Sequence, residues 1–167
     1  MKTYTKEELK DILDKHAKWL RNEDDGKRAD LSGSDLSGID LRGSDLSGSK
    51  ITDELLNKFY PIACPEFGSF IGWKKCVGNT VVKLEILADA KRSSAFSRKC
   101  RCSAAKVLAI ENADGTPYAR DEVASQYDAA FIYKVGEIVS VDNFDEDRKK
   151  ECAPGIHFFI TRQEAKE

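Results

Sequence analysis

Residues 29 to 53 repeat with a period of five. Leu31, Leu36, Leu41, Leu46 and Ile51 hold the central position, and Ala29, Ser34, Ile39, Ser44 and Ser49 stand two places earlier. A helix repeats every 3.6 residues and a strand every two, so neither keeps every fifth side chain on one face. A solenoid does: each central apolar residue points to the axis, and a small residue fills the second inward place. Stacked neighbours bury the axis of such an array, and five pentads supply few of them. The flanking segments are therefore expected to cover it.

The pattern Ala-Asp-Leu-Ser-Gly, Ser-Asp-Leu-Ser-Gly, Ile-Asp-Leu-Arg-Gly resembles the pentapeptide-repeat family. The resemblance implies a right-handed quadrilateral β-helix with four pentads per coil, hence about one coil here. Long members of that family imitate B-DNA and bind topoisomerases. This array is short and mixes Arg42 and Lys50 with its aspartates, so a structural spacer or docking module is the expectation. An unfinished coil has an end to bury, which makes a homo-oligomer a further expectation.

Thr5 and Glu8 form a capping box, with Tyr4 and Leu9 at the staple positions. Leu9, Ile12, Leu13, His16, Ala17 and Leu20 then share one helical face. This helix is expected to end near Arg21 and to pack on the repeat, with His16 as a packing residue. Residues 52–60 read as a second short capped helix or as the closing cap of the coil, and Pro61 and Pro65 bracket a connector.

Beyond the connector the pattern changes to short strands. Phe67 to Cys76 is aromatic and interrupted by glycine, Gly78-Asn79 marks a turn, and Thr80 to Leu87 alternates. Ala104 to Ile110, Ala130 to Lys134, Glu137 to Val141 and Ile156 to Ile160 read as further strands, and Thr161 with Glu164 caps a terminal helix. The expected class is α+β, in two parts. Residues 1–60 form a capping helix plus a repeat coil, and residues 66–167 form a mainly antiparallel α+β domain.

The 27 basic and 29 acidic residues nearly cancel, which argues against a nucleic-acid coat or an acidic duplex mimic. No apolar run approaches the roughly 20 residues of a membrane span. The N-terminal Met-Lys-Thr leads into charged helix rather than an apolar signal core, so a cytoplasmic location is expected. The five cysteines, Cys64, Cys76, Cys100, Cys102 and Cys152, are odd in number and lack a CxxC pair. They read as reduced thiols, with no metal and no cofactor.

The segment 90–101 holds Lys91, Arg92, Arg98, Lys99 and Arg101 with no acid, interleaved with Ser93, Ser94 and Ser97. Guanidinium forks, ammonium charges and hydroxyls together suit phosphate oxygens. Read as an inter-strand loop, it is a candidate anion site. Trp73 beside Lys74 and Lys75 could stack a base, and His157 with Arg162 could face the same ligand. The candidate ligand-binding set is thus Lys91, Arg92, Ser93, Ser94, Arg98, Lys99, Arg101, Trp73, His157 and Arg162, with no catalytic residue assigned.

The runs FIGWKKC, VVKLEI, DAKRSSA, RKCR, YKVGE, FDEDR and GIHFFITRQEA resemble an uncharacterised domain found mainly in bacteriophage genomes, often beside pentapeptide repeats. The resemblance implies a phage protein acting in a bacterial cytoplasm. The expected function is non-catalytic binding of an anionic small molecule, such as a nucleotide, or of a host protein, so as to interfere with a host system. Nucleic acid is not the favoured partner. Two alternatives stand beside it. Gly155-Ile156-His157-Phe158-Phe159 followed by Glu164-Ala165 is similar to a segment of ADP-ribosyltransferase-like domains, which implies a nucleotide-acting enzyme with His157 and Glu151 in acid–base roles. The other alternative is a protein-binding adaptor that uses the repeat face.

Overall fold

The computed structural model describes residues 1–167. Helix α1 (Lys6–Leu20) opens on a capping box. The Thr5 hydroxyl accepts from Glu8 N at 3.1 Å, and the Glu8 carboxylate accepts from Thr5 N at 2.9 Å. The apolar face predicted for it turns inward, with Leu9 and His16 buried. His16 Nδ1 accepts from Ala29 N at 3.2 Å, and its ring stacks on Trp19.

The repeat folds as a series of turns. Asp35 and Asp40 each accept, at 3.0 Å, from the N–H two residues on. This local bond fixes the corner of each pentad. The glycines closing the pentads, such as Gly33 (φ 65°) and Gly43 (φ 77°), take the left-handed conformation that side chains resist. After twenty residues the chain meets itself. Lys50 N donates to Ala29 O at 2.9 Å, and Leu31 N to Lys50 O at 3.0 Å, in a parallel bridge between Asp30 and Lys50. The N-terminal Lys2 lies in the same way beside Ser34.

All five central residues are buried, Leu31, Leu41 and Leu46 completely. They share a core with Leu9 of α1, with Leu56 of α2 (Asp53–Phe59), and with Ala95 and Phe96 from the distant C-terminal half. Phe96 meets Tyr60 edge-on at 5.5 Å between ring centroids. Side chains from α1, α2 and the C-terminal half thus cover the apolar axis of the coil.

The remainder is α+β with antiparallel sheets. β1 (Phe70–Cys76), β2 (Thr80–Ile86), β5 (Ala104–Asn112) and β8 (Ile138–Ser140) form one sheet in the order β1-β2-β5-β8. β3 (Arg92–Ser94), β4 (Cys100–Cys102) and β9 (Ile156–Phe158) form a second. β6 (Glu122–Ala124) and β7 (Ile132–Lys134) make a hairpin, and α3 (Arg162–Lys166) ends the fold on its capping box of Thr161 and Glu164. β3 and β4 replace the expected inter-strand loop. The first two sheets are joined where Trp73 and Phe159 exchange backbone bonds at 2.8 and 2.7 Å. Gly72 makes that junction possible, because a Cβ there would stand 2.6 Å from Phe158 Cδ2.

Residues 145–151 clasp the two parts together. Leu46 N donates to Lys149 O at 2.8 Å, Gly43 N donates to the Glu151 carboxylate at 2.6 Å, and Arg148 bonds Asn57 and Tyr60 O. No helix is long and apolar enough to cross a membrane.

Candidate functional site

The strand period decides which basic side chains go inside. Along β1, Gly72, Lys74 and Cys76 are buried while Trp73 and Lys75 are half-buried. Lys74 therefore occupies a core-facing position, opposite Val82 of β2, and is only 7% exposed. Its Nζ donates to His157 O at 3.3 Å and lies 5.8 Å from the centre of the Tyr133 ring. Its ammonium takes part in no ion pair with a carboxylate. Burial pushes the Lys74 amine below its usual range, with Lys99 adding to the effect.

Lys74 borders a cleft of about 840 Å³ between the sheet junction, the 125–128 loop, residues 152–157 and α3. Lys75, Lys99 and His157 share its lining. His157 lies on β9 between Ile156 and Phe158, which are buried on the other side of the strand. His157 Nε2 donates to Ala153 O at 2.9 Å, which fixes the tautomer and leaves Nδ1 as the acceptor. Burial pushes the imidazole down to about 4, and the charges of Lys99, Lys74 and Arg101 push the same way. His157 is thus a neutral ring in a positive field.

The acids of the cleft wall are already engaged. Glu164 is ion-paired with Arg98, which holds its carboxyl below the usual range, and it also accepts from Thr161. Asp128 accepts from Ala130 N at 3.0 Å, and Glu167 from Gln163 at 2.9 Å. Lys99 Nζ lies 3.5 Å from the Cys152 sulfur, with no carboxylate partner. Three lysines and three carboxylates thus line the cleft, Lys74 and Lys99 without an ion-pair partner, beside the apolar surfaces of Phe159 and Phe131.

Of the ten residues expected to bind a ligand, the structure brings only Lys99 and His157 to this cleft. The others correct the reading of one basic loop. Arg101 is 1% exposed, and its guanidinium donates to the carbonyls of Asp145, Asp147, Lys150 and Pro154. Arg92 donates to the carbonyls of Pro65, Gly68, Leu87, Ala88 and Ala90. Both arginines spend their forks on backbone, as structural pins for chain that has no ladder partner. Ser93 and Ser94 are buried, and Ser94 accepts from Ala63 N at 2.9 Å. Lys91 pairs with Glu146, Arg98 with Glu164, and Arg162 with Glu111. Trp73 carries Lys83 over its ring at 5.6 Å, outside the cleft. Sequence reasoning weighed Lys74 only as a companion of Trp73 and left it out of the candidate set, although its parity with Gly72 and Cys76 on β1 was readable.

Glu151, the acid–base partner weighed for His157, accepts from Gly43 N on the repeat instead. Four cysteines are buried as free thiols, and Cys152 is exposed. No three His, Cys, Asp or Glu side chains are grouped so as to share a metal ion.

Residues 60–165 match the model of a family of unknown function, DUF5758. The chain belongs to this family. Lys74, Lys99, Arg101 and the neutral His157 lie within the matched residues, and of the cleft lining only Glu167 lies beyond them. Residues 27–53 match pentapeptide repeats, described in a model of 8 copies. No curated protein and no solved structure matches the chain.

Proposed function

We propose that the protein is a non-catalytic binding protein that takes a small anionic molecule, bearing phosphate or carboxylate, into the cleft at Lys74, Lys99 and His157. One observation carries this reading: an ammonium nine-tenths buried borders a cleft and has no carboxylate partner. Burying an unpaired charge is costly, and a bound anion offsets that cost. Lys99 adds a second charge, and Nδ1 of the neutral His157 accepts from an O–H or N–H group of the ligand. A nucleotide is the fuller ligand in view, its phosphate at the lysines and its base against the aromatic wall.

The repeat serves this function as scaffold. Its return after four pentads supports a single right-handed coil, and the 145–151 clasp ties that coil to the wall of the cleft. As a phage-encoded protein, it would act in the cytoplasm of a bacterial host and interfere by sequestering the ligand.

Native mass spectrometry tests this reading. The protein is incubated with inorganic phosphate and with a nucleotide pool. A salt-sensitive one-to-one complex, weakened at least about tenfold in Lys99→Met and unchanged in Lys91→Ala, is the expected result. Equal binding by wild type and Lys99→Met would remove the cleft as the site.

A further inference from the structure

Lys74 is the only buried lysine of the chain. Its backbone is held in the β1–β2 ladder, so its amine has a fixed origin. The single acceptor of that amine, His157 O, stands at 3.3 Å, beyond the usual 2.7–3.2 Å of an N–H···O bond. The thiols of Cys76 and Cys102 and the ring of Tyr133 surround it, with Lys99 as a second cation nearby. Burial and the Lys99 charge shift Lys74 toward the neutral amine, against the Tyr133 ring and the two thiols, which hold the ammonium. The amine thus exchanges between a charged form that attracts an anion and a neutral form that is a nucleophile toward carbonyl carbon. The cleft gives a small molecule access to it, and Lys99 offers a charge for an anionic tail.

We propose that Lys74 condenses with the carbonyl group of an aldehyde or 2-oxo acid that carries a phosphate or carboxylate, forming an imine within the cleft. This rests on the reading of the cleft as an anion site. The Nζ lone pair forms the N–C bond as the carbonyl π pair moves to oxygen. The nitrogen loses a proton and the oxygen gains one, giving a carbinolamine. That hydroxyl then leaves with the remaining N–H proton as water, and the C=N bond forms. No oxidant or reductant takes part, and hydrolysis runs the same steps backward.

Pyridoxal 5′-phosphate, an aldehyde with a phosphate, is a suitable probe. The full-length protein is treated with it, trapped with cyanoborohydride, and mapped by peptide mass spectrometry. The expected result is one fast adduct at Lys74, several-fold faster than at any other lysine, because a lowered pKa raises the neutral fraction. Inorganic phosphate slows it, and Lys74→Arg loses the fast phase. Adducts spread evenly over exposed lysines, or a fast phase retained in Lys74→Arg, would overturn the inference. Phosphate binding is followed separately through the His157 imidazole resonance. Phosphate binding without a fast adduct defeats the imine alone. A fast Lys74 adduct that phosphate neither slows nor competes with upholds the imine and defeats the anion cleft.

Discussion

Arg101 and His157 stand opposite each other in the β4–β9 pairing, and their side chains grip the same stretch of chain. Arg101 Nη1 donates to Asp145 O at 2.7 Å and to Pro154 O at 3.1 Å, while His157 Nε2 donates to Ala153 O at 2.9 Å. One strand pair therefore shapes both the clasp to the repeat and the wall of the cleft. Arg101→Ala strips a donor set from four buried or half-buried carbonyls. It is expected to cost about 3 kcal/mol or more, read from urea unfolding. A cost below about 1 kcal/mol would mean that the 145–154 segment holds its shape unaided.

Acid should weaken the fold in a defined window. Burial depresses the pKa of both His16 and His157, the latter to about 4. The folded state thus binds fewer protons than the unfolded chain once pH falls below the ordinary histidine value of about 6.5. The stability contributed is complete above that pH and is lost as pH falls from about 6.5 to about 4, by at most about 3 kcal/mol for His157. The depressed carboxyls of Asp30 and Asp40, both near 2, titrate lower still. Unfolding free energies measured across this range should fall, and His157→Gln should flatten the slope. A slope identical in His157→Gln would contradict the assignment.

Gly72→Ala tests the junction of the sheets. The added methyl meets Phe158 Cδ2 at 2.6 Å and Ile86 Cδ1 at 3.3 Å, both in the core. Overpacking of this kind costs about 1–3 kcal/mol. Because β9 must retreat from β1, anion binding should weaken together with stability. Retained binding at reduced stability would show that the cleft does not depend on this contact.

Much of this fold was legible because its signals are local. The capping boxes at Thr5–Glu8 and Thr161–Glu164 form as their spacing predicts. The alternation of residues 80–87 appears as β2, and the five-residue period places Leu31 to Ile51 in one core. The candidate site was less legible because its partners are remote. Nothing near Arg101 reveals that its acceptors lie 44 to 53 residues on, and nothing near Arg92 reveals carbonyls up to 27 residues back. The basic run therefore looked like free charge. Phe96 likewise looked like part of that run, and its place in the repeat core depends on the turn between β3 and β4.

The two tryptophans report on the two parts separately, Trp19 in α1 and Trp73 in β1. The clasp and the Tyr60–Phe96 contact should make them unfold together. In Trp19→Phe and Trp73→Phe, the remaining fluorescence is expected to give matching urea midpoints after correction for each variant's own stability, measured by circular dichroism. A repeat that melts well before the family domain would show that the clasp does not couple them.

Thiol reactivity provides a check on packing. Burial pushes Cys76 to about 11 and Cys102 to about 12, while Cys152 is exposed. Ellman's reagent should find one fast thiol in the folded protein and five after unfolding. Several fast thiols before unfolding would contradict the core as described.

The cleft itself is best tested through its own imidazole. The chain has two histidines, so each resonance is assignable by a single substitution. An anion held beside Lys74 and Lys99 lowers the positive field at His157, and its pKa must rise. Titration with inorganic phosphate, followed by NMR, should shift the His157 signal to saturation and raise its pKa while His16 stays in place. No movement of His157, or equal movement of both rings, would contradict the account of the cleft as an anion site.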